Sequence, residues 1–256
     1  MLVVIGILIA VNINNWNTEK KQQLEIEQLL VAFEQDLITS IEDAAEILEA
    51  AAIKDSIAKM ALNDEITEAM YQDKTYGTLI LNYQLINIAD ENLIKLLGHE
   101  EQMPERFSPL LKSLKTFDGI VEECRHSQKS VVNYVQEQNK YFTENKEWLS
   151  SYFKNGDNRA ANYFMNDPIY KNKVMFYQTL VLYNFAADVN RFRNRAIGLL
   201  YLVQDHINRD RNVQPEAKLN SIGLRPSSEA SCKDTLKLDA SLPSHFSPAI
   251  LNKTTD

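Results

Sequence analysis

A chain of 256 residues, 45% of them apolar, is long enough to bury a sizeable hydrophobic core. Seven glycines and seven prolines are few for this length, so the composition argues against an all-β fold. The net charge of −8, without strands that alternate basic and aromatic residues, excludes a typical nucleic-acid binder. Cys124 and Cys232 are too few for a disulfide framework and lack the spacing of metal ligands.

The chain opens with an apolar segment, LVVIGILIAVNINNWN at residues 2–17, that contains no charged residue. One interpretation is a membrane anchor. The anchoring residues would be Leu2, Val3, Val4, Ile5, Ile7, Leu8, Ile9 and Val11, with Trp16 at the level of the headgroups. As a helix rising about 1.5 Å per residue, residues 1–16 would reach roughly 24 Å, about one turn short of the ~30 Å hydrocarbon core.

A run this short is also typical of a buried core helix or of the apolar part of a signal peptide. A signal peptide needs a basic start and a cleavage site between small residues, and neither is found around Ala10. A core helix at a protein surface needs a polar face, whereas residues 1–11 are apolar all round apart from Gly6. Physical chemistry alone therefore leaves the anchor open.

The segment resembles the hallmark of an uncharacterised bacterial family of single-pass membrane proteins, domain of unknown function 6090. In that family a basic leader and further apolar residues precede the same sequence. Val11 and Asn12 stand where the family tends to carry Leu and Gln. The resemblance is specific over residues 2–17. It implies that the chain begins inside its own anchor and continues as a helical domain, and it brings no known activity or catalytic residue.

The charges around the segment bear on membrane orientation. Lys20 and Lys21 follow it and favour a cytoplasmic domain, since basic residues concentrate on the cytoplasmic side. The basic leader of the resembled family implies the opposite orientation. We expect a single-pass protein whose soluble domain lies outside the inner membrane and whose first contact is with lipid.

Apolar residues recur at steps of three or four along three segments, the mark of amphipathic helices. The first stripe comprises Ile26, Leu30, Phe33, Leu37, Ile41, Ala45 and Leu48. The second comprises Leu110, Leu114, Phe117, Val121, Cys124, Val131, Val135 and Phe142, with Gln128 and Gln138 in the same series. The third comprises Val174, Tyr177, Val181, Phe185, Val189, Phe192, Ala196, Leu199, Val203 and Ile207. Buried Leu, Ile and Phe side chains contribute about 1.5–3 kcal/mol each, so the stripes predict an antiparallel bundle of long helices that needs no cofactor.

Local signals predict where these helices begin and end. The first helix is expected to reach about Leu62. Ser-Pro at residues 108–109 and Asp-Pro at 167–168 predict helix starts, because the first side chain caps free amides and proline loses no bond in the first turn. The first stripe, at residues 26–48, suits a bundle core or the seam of a parallel coiled-coil dimer equally well.

Other segments have weaker periodicity. Residues 71–97, closed by Gly98, predict one or two further helices, and residues 145–153 predict the shortest helix. The turn cluster at residues 155–158 separates this short helix from the third stripe. We expect an incomplete anchor at residues 1–18, a helical bundle at 19–212, and a disordered tail rich in Pro and Ser at 213–256.

Charge is unevenly distributed. Residues 19–105 are strongly acidic, whereas residues 106–212 carry a net positive charge. The simplest interpretation is that acidic early helices pack beside basic later ones. Alternatively, a basic face recruits lipid headgroups or an acidic protein partner. Its residues would be Arg191, Arg195, Arg209 and Arg211. Arg193 would point away from Arg191 and Arg195 on a helix.

Catalytic motifs for serine hydrolases, zinc peptidases, dinucleotide binding and phosphate-binding loops are absent from the sequence. Glu123 and His126 form a Glu-x-x-His on a predicted helix, a spacing that di-iron bundles use for ligands. Those sites need two such pairs, and a second is missing. A surface Glu and His flanking a buried Cys124 is the simpler interpretation.

Three classes of function remain. The first is a non-enzymatic, membrane-tethered bundle that acts as an envelope sensor or scaffold, with no cofactor. The second is an enzyme with a carboxylate or metal site at Glu123 and His126. The third is a pilin-like subunit, because the start superficially resembles the apolar spine of type IV pilins. The helical periodicity argues against the third class, since the globular part of pilins is largely sheet.

Overall fold

The computed structural model describes residues 2–208, and within this range the chain is helical and contains no strand. The helices are α1 (Leu2–Leu62), α2 (Glu68–Tyr71), α3 (Lys74–Gly77), α4 (Glu91–Gly98), α5 (Ser108–Asn145), α6 (Leu149–Asn155), α7 (Asn158–Asn166), α8 (Pro168–Tyr177) and α9 (Ala186–Asn208). A π-helical segment, Gln178–Phe185, joins α8 to α9 without a break. The expected helical bundle with long helices is confirmed.

The bundle consists mainly of α1, α5 and the continuous rod formed by α8, the π-helical segment and α9. The rod runs antiparallel to α1, because Gln178 contacts Asp55 whereas Gln204 contacts Glu34. It also runs antiparallel to α5, so α1 and α5 are parallel. Phe117 of α5 lies between Phe33 of α1 and Phe192 of α9, with ring centroids 6.5 and 5.3 Å away. The three stripes therefore share one core.

The stripe on α1 belongs to this core and not to a free seam. Phe33 is fully buried within the single chain. The buried positions follow a seven-residue repeat, Ile26, Phe33, Ser40 and Ile47 in one series and Leu30, Leu37 and Ala44 in the other. Ala45 and Leu48, which sequence periodicity assigned to the stripe, are only half-buried. A seven-residue repeat keeps the same helix face against its partner when the helices supercoil. The buried positions after Ile41 are therefore Ala44 and Ile47, each one residue before the position expected from the sequence.

Two predicted helix starts differ in their chemistry. Asp167 caps α8 as expected, since its Oδ1 accepts bonds from the amides of Ile169 and Tyr170 at 2.7 and 3.2 Å. Ser108 does not cap α5. It lies inside the first turn with helical dihedrals, and the preceding Phe107 is the flanking residue. The proline that follows Ser108 still fits, because the first helical turn needs no amide donor there.

The end of the bundle distant from the chain's first residues is closed by short elements. Residues 71–97 form only one regular helix of more than one turn, α4, since residues 82–90 have no helical structure. The helix expected at 145–153 lies at Leu149–Asn155 instead, and Gly156 with a φ of 78° makes the predicted turn before α7. Rings from α2, α5, α6, α7 and α8 fill the space between these elements. This distal aromatic cluster comprises Tyr71, Phe142, Trp148, Tyr152, Tyr163, Phe164 and Tyr170.

The prediction of an N-terminal transmembrane helix is not supported. Within residues 2–208 the structure contains no helix whose length and apolar character together suffice to cross a membrane. Although α1 is long, its apolar run ends at Val11, and Asn12, Asn14 and Asn15 follow. The tail expected at residues 213–256 lies outside the described residues.

Candidate functional site

The first part of α1 extends beyond the bundle. All described side chains from residue 7 to residue 21 are exposed, and burial begins only at Ile26. Of the expected anchor residues, Ile7, Ile9, Val11 and Trp16 are about half exposed or more, with Ile7 at 58% and Trp16 at 59%. The side chains of Leu2, Val3, Val4, Ile5 and Leu8 lie outside the described residues. Ile13, which was not among the expected anchor residues, is equally exposed.

Trp16 lies where the apolar segment gives way to charge. The Nζ of Lys20 lies 5.1 Å from the centre of its ring, one helical turn further along the chain. The hydroxyl of Thr18 donates a 2.9 Å bond to the carbonyl of Asn14. This arrangement places an amphipathic ring, a cation and a hydrogen-bonded hydroxyl within a few residues of the end of the apolar run.

The arginine group is not one patch. Arg191 is engaged by carboxylates of α5 and α9, with Glu123 Oε2 at 3.1 Å and Asp188 Oδ1 at 2.5 Å. Arg195 is exposed, and Arg193 is half-buried with its Nε inaccessible and unpaired among the described residues. Arg209 and Arg211 lie outside the described residues. The structure therefore brings Arg191 to an ion-pair network and does not bring Arg195 to it.

The Glu-x-x-His pair faces outward. Glu123 and His126 are both exposed, Glu123 pairs with Arg191, and Cys124 between them is fully buried. Burial raises the pKa of the Cys124 thiol to about 11, so it behaves as a core side chain. Within residues 2–208 no group of three or more His, Cys, Asp or Glu side chains is placed to hold a metal ion. The geometry gives the metal-enzyme hypothesis no support.

A pair of lysines against the distal aromatic cluster has no counterpart among the sequence predictions. The Nζ of Lys173, on α8, lies 3.1 Å from the ring centre of Tyr141. The Nζ of Lys146, just after α5, lies 3.6 Å from the ring centre of Tyr163 and 5.8 Å from that of Tyr141. Both lysines are half-buried. We name this group the lysine–tyrosine site: Lys146, Lys173, Tyr141 and Tyr163.

The lysine–tyrosine site gives one of its lysines, Lys173, a pKa below the ordinary lysine value. Burial, followed by the positive charge of Lys146, lowers the pKa of Lys173 to about 8, while the charge of Asp167 raises it. Burial also raises the pKa of Tyr163 well above its ordinary value, and its hydroxyl is inaccessible to solvent. No sequence motif signals this site, because its members come from three segments that only the fold brings together.

The fold and these sites define an all-helical bundle with an exposed apolar N-terminal extension. Comparison of the chain with protein-family models, with curated proteins and with solved structures finds no match. The resemblance of residues 2–17 to a single-pass membrane family therefore stays a prediction, and arguments about function rest on the geometry of this chain.

Proposed function

We propose that this protein is a membrane-attached helical bundle that serves as a sensor or scaffold in the bacterial envelope, without a catalytic role of its own. The observation that carries the proposal is the contrast along α1. One helix is exposed and apolar in its first part, yet forms the centre of the core from Ile26 onward. The first part of the helix has apolar side chains that no described part of the bundle covers.

Free energy favours removing these side chains from water. Each Ile or Val transferred to an apolar environment contributes about 1.5–3 kcal/mol. The described side chains of the exposed extension gain nothing from tertiary packing, which supplies most of the stability of helices in proteins. A lipid environment stabilises both the side chains and the helical hydrogen bonds, because no water competes there for the backbone groups. Membrane attachment is therefore the environment that best fits the extension.

Attachment would set the bundle beside the membrane. The first buried residue, Ile26, follows Trp16 by less than three helical turns at about 3.6 residues per turn. We propose that the bundle lies outside the cytoplasmic membrane, the orientation expected from the resemblance of residues 2–17.

The test compares exposed apolar residues inside and outside the extension. The double variant Ile7→Lys with Ile9→Lys places two charges in the apolar segment, at about 2.5–3.5 kcal/mol each at the centre of a bilayer. The matched control is Leu24→Lys with Ile53→Lys, since these residues lie on the same helix and are similarly exposed, at 50% and 59%. Recovery in alkaline-washed membranes is measured for both.

We expect the native chain and the Leu24/Ile53 variant to pellet with the membranes and the Ile7/Ile9 variant to be released. Equal recovery of both variants in the pellet would contradict attachment through the N-terminal extension. Failure of the native chain itself to pellet would contradict membrane attachment altogether.

A further inference from the structure

Two cations at the lysine–tyrosine site share one aromatic wall without a counter-ion. Both Nζ atoms lie close to tyrosine rings, and no carboxylate of residues 2–208 forms an ion pair with Lys146 or Lys173. Lys171, a half-buried neighbour of Lys173 on α8, does have such a partner, Asp64. A pair of like charges that burial and mutual repulsion both disfavour is costly unless something neutralises it.

The charged groups around the site offset this positive charge only in part. The charge of Asp167, at the start of α8, raises the pKa of Lys173, but its Oδ1 accepts hydrogen bonds from the amides of Ile169 and Tyr170 and it forms no ion pair with either lysine. Tyr141 and Tyr163 are neutral hydroxyls. Glu137 lies on α5 beyond Tyr134, and its charge acts on Tyr134. The site therefore keeps a local excess of positive charge next to apolar rings.

We propose that the lysine–tyrosine site binds the phosphate group of a small soluble ligand, with Lys146 and Lys173 as its two cationic contacts. A phosphate group carries close to two negative charges at neutral pH and several acceptor oxygens, so one group neutralises both ammonium ions. Tyr141 contributes an aromatic wall that both lysines approach. This proposal identifies a ligand class for a sensor. Phosphate binding does not depend on membrane attachment, whereas the choice of a soluble ligand rests on the proposed function.

The distance of the site from the apolar segment favours a soluble ligand over a lipid headgroup as the source of the phosphate. Lys171 of α8 pairs with Asp64, just after α1, and Gln178 of the π-helical segment bonds to Asp55 of α1. These contacts give the level of the site along α1. At about 1.5 Å per residue, this level is roughly 60 Å along the helix from the end of the apolar segment. If residues 1–18 lie in the membrane as proposed above, a bilayer phosphate is out of reach of Lys146 and Lys173.

The experiment titrates the full chain, in non-ionic detergent, with inorganic phosphate near pH 7 and follows binding by calorimetry. We expect one saturable equivalent, with affinity reduced at least tenfold by Lys146→Met and by Lys173→Met. Lys140→Met is the matched control, because Lys140 lies on α5, is 75% exposed and pairs with Glu144. It should bind phosphate as the native chain does. Absence of saturable binding, or an equal loss in the control, would overturn the proposal.

A second readout excludes a merely structural effect of the substitutions. Lysine ¹⁵N resonances report the pKa of Lys173, which bound phosphate should raise above its free value of about 8. Binding should accordingly weaken several-fold between pH 7 and pH 9. A Lys173 pKa that phosphate leaves unchanged would contradict direct contact, even if the variants fail to fold.

Two further measurements distinguish phosphate binding from membrane attachment and from binding of a lipid headgroup. The Ile7/Ile9 variant should bind phosphate normally, whether or not it leaves the membrane fraction. Vesicles containing phosphatidic acid should be bound equally by the native chain and by the Lys146/Lys173 double variant. Loss of vesicle binding in that variant would overturn the assignment to a soluble ligand.

Discussion

Glu34 of α1 accepts a 2.9 Å hydrogen bond from the side-chain amide of Gln204 of α9, and both residues are buried. This contact joins positions far apart in sequence and fixes the register between the two helices with the most extensive packing in the bundle. A buried carboxylate needs donors, because its desolvation is otherwise uncompensated. The bond therefore specifies how α9 lies against α1 more than it adds to stability.

The first prediction concerns this pair. Gln204→Leu should lower the free energy of unfolding by about 1–3 kcal/mol, since a donor to a buried carboxylate is lost. Adding Glu34→Leu should recover much of that loss, because an apolar pair of similar volume removes the need for donors. Urea unfolding of both single variants and the double variant, followed by circular dichroism, measures the coupling. Strictly additive losses would contradict the pairing.

The second prediction concerns Gly77 beside the distal aromatic cluster. A Cβ at this position would clash with the hydroxyl of Tyr152 and would lie 2.6 Å from Cε2 of Phe164. Tyr152 is held there by its 3.0 Å bond to the carbonyl of Tyr71. Gly77→Ala should therefore destabilise the fold by about 1–3 kcal/mol through overpacking.

Gly119 provides the control for that substitution. It lies within α5, where a methyl group in place of its hydrogen would meet open space, so Gly119→Ala should stabilise the protein by about 0.5–1 kcal/mol. Thermal unfolding of both variants distinguishes a steric cause from a general response to alanine. If Gly77→Ala proves as well tolerated as Gly119→Ala, the cluster is loosely packed and the prediction is wrong.

The third prediction concerns alkaline pH. Burial raises the pKa of Tyr71 and of Tyr152 to about 12, from an ordinary value of 10.0. A proton held more tightly in the folded state stabilises the fold fully below pH 10, and that stabilisation is lost as the pH rises from 10 through 12. Tyrosinate absorbance and circular dichroism should therefore change together in this window.

The urea-unfolded chain is the reference for the alkaline titration, and its tyrosines should ionise near their ordinary pKa. Tyr71→Phe should shift the folded-state transition to higher pH, because one destabilising ionisation is removed. A folded chain whose tyrosines all titrate near pH 10 with its helices intact would contradict the buried cluster.

The fourth prediction tests the Glu-x-x-His pair. Glu123→Ala and His126→Ala should leave the metal content of the purified protein unchanged, because both side chains face solvent. Loss of the exposed ion pair with Arg191 should change the free energy of unfolding by about 0–1 kcal/mol. A stoichiometric metal that either substitution releases would revive the enzyme hypothesis.

Much of the fold follows from the sequence because the relevant forces are local. The end of α1 at Leu62 and the cap by Asp167 need only side chains and their immediate neighbours. The stripes on α5 and α9 are predictable for the same reason, since one buried face imposes its own period.

Features that depend on the partner helix were harder to predict. The displacement to Ala44 and Ile47 arises from supercoiling, which sequence steps of three and four do not distinguish from a straight helix. A signal for the π-helical segment was present: Tyr177, Val181, Phe185 and Val189 follow at three successive steps of four, which demands more than about 3.6 residues per turn.

The lysine–tyrosine site could not be predicted, because Lys146 follows one helix and Lys173 lies within another. Neither has a local partner that marks it, and their proximity exists only when α5 and α8 pack together. The apolar residues at the N-terminus, by contrast, are evident in the sequence. The structure adds that the bundle does not cover those whose side chains are described.

Protease accessibility of a C-terminal tag, measured in spheroplasts that express the natural gene product, tests the proposed membrane attachment and orientation most directly. The tagged protein should pellet with alkaline-washed membranes, and external protease should remove the tag from intact spheroplasts. A tag that stays protected in the membrane pellet would contradict placement outside the cytoplasm. Recovery of the protein in the wash would contradict attachment itself.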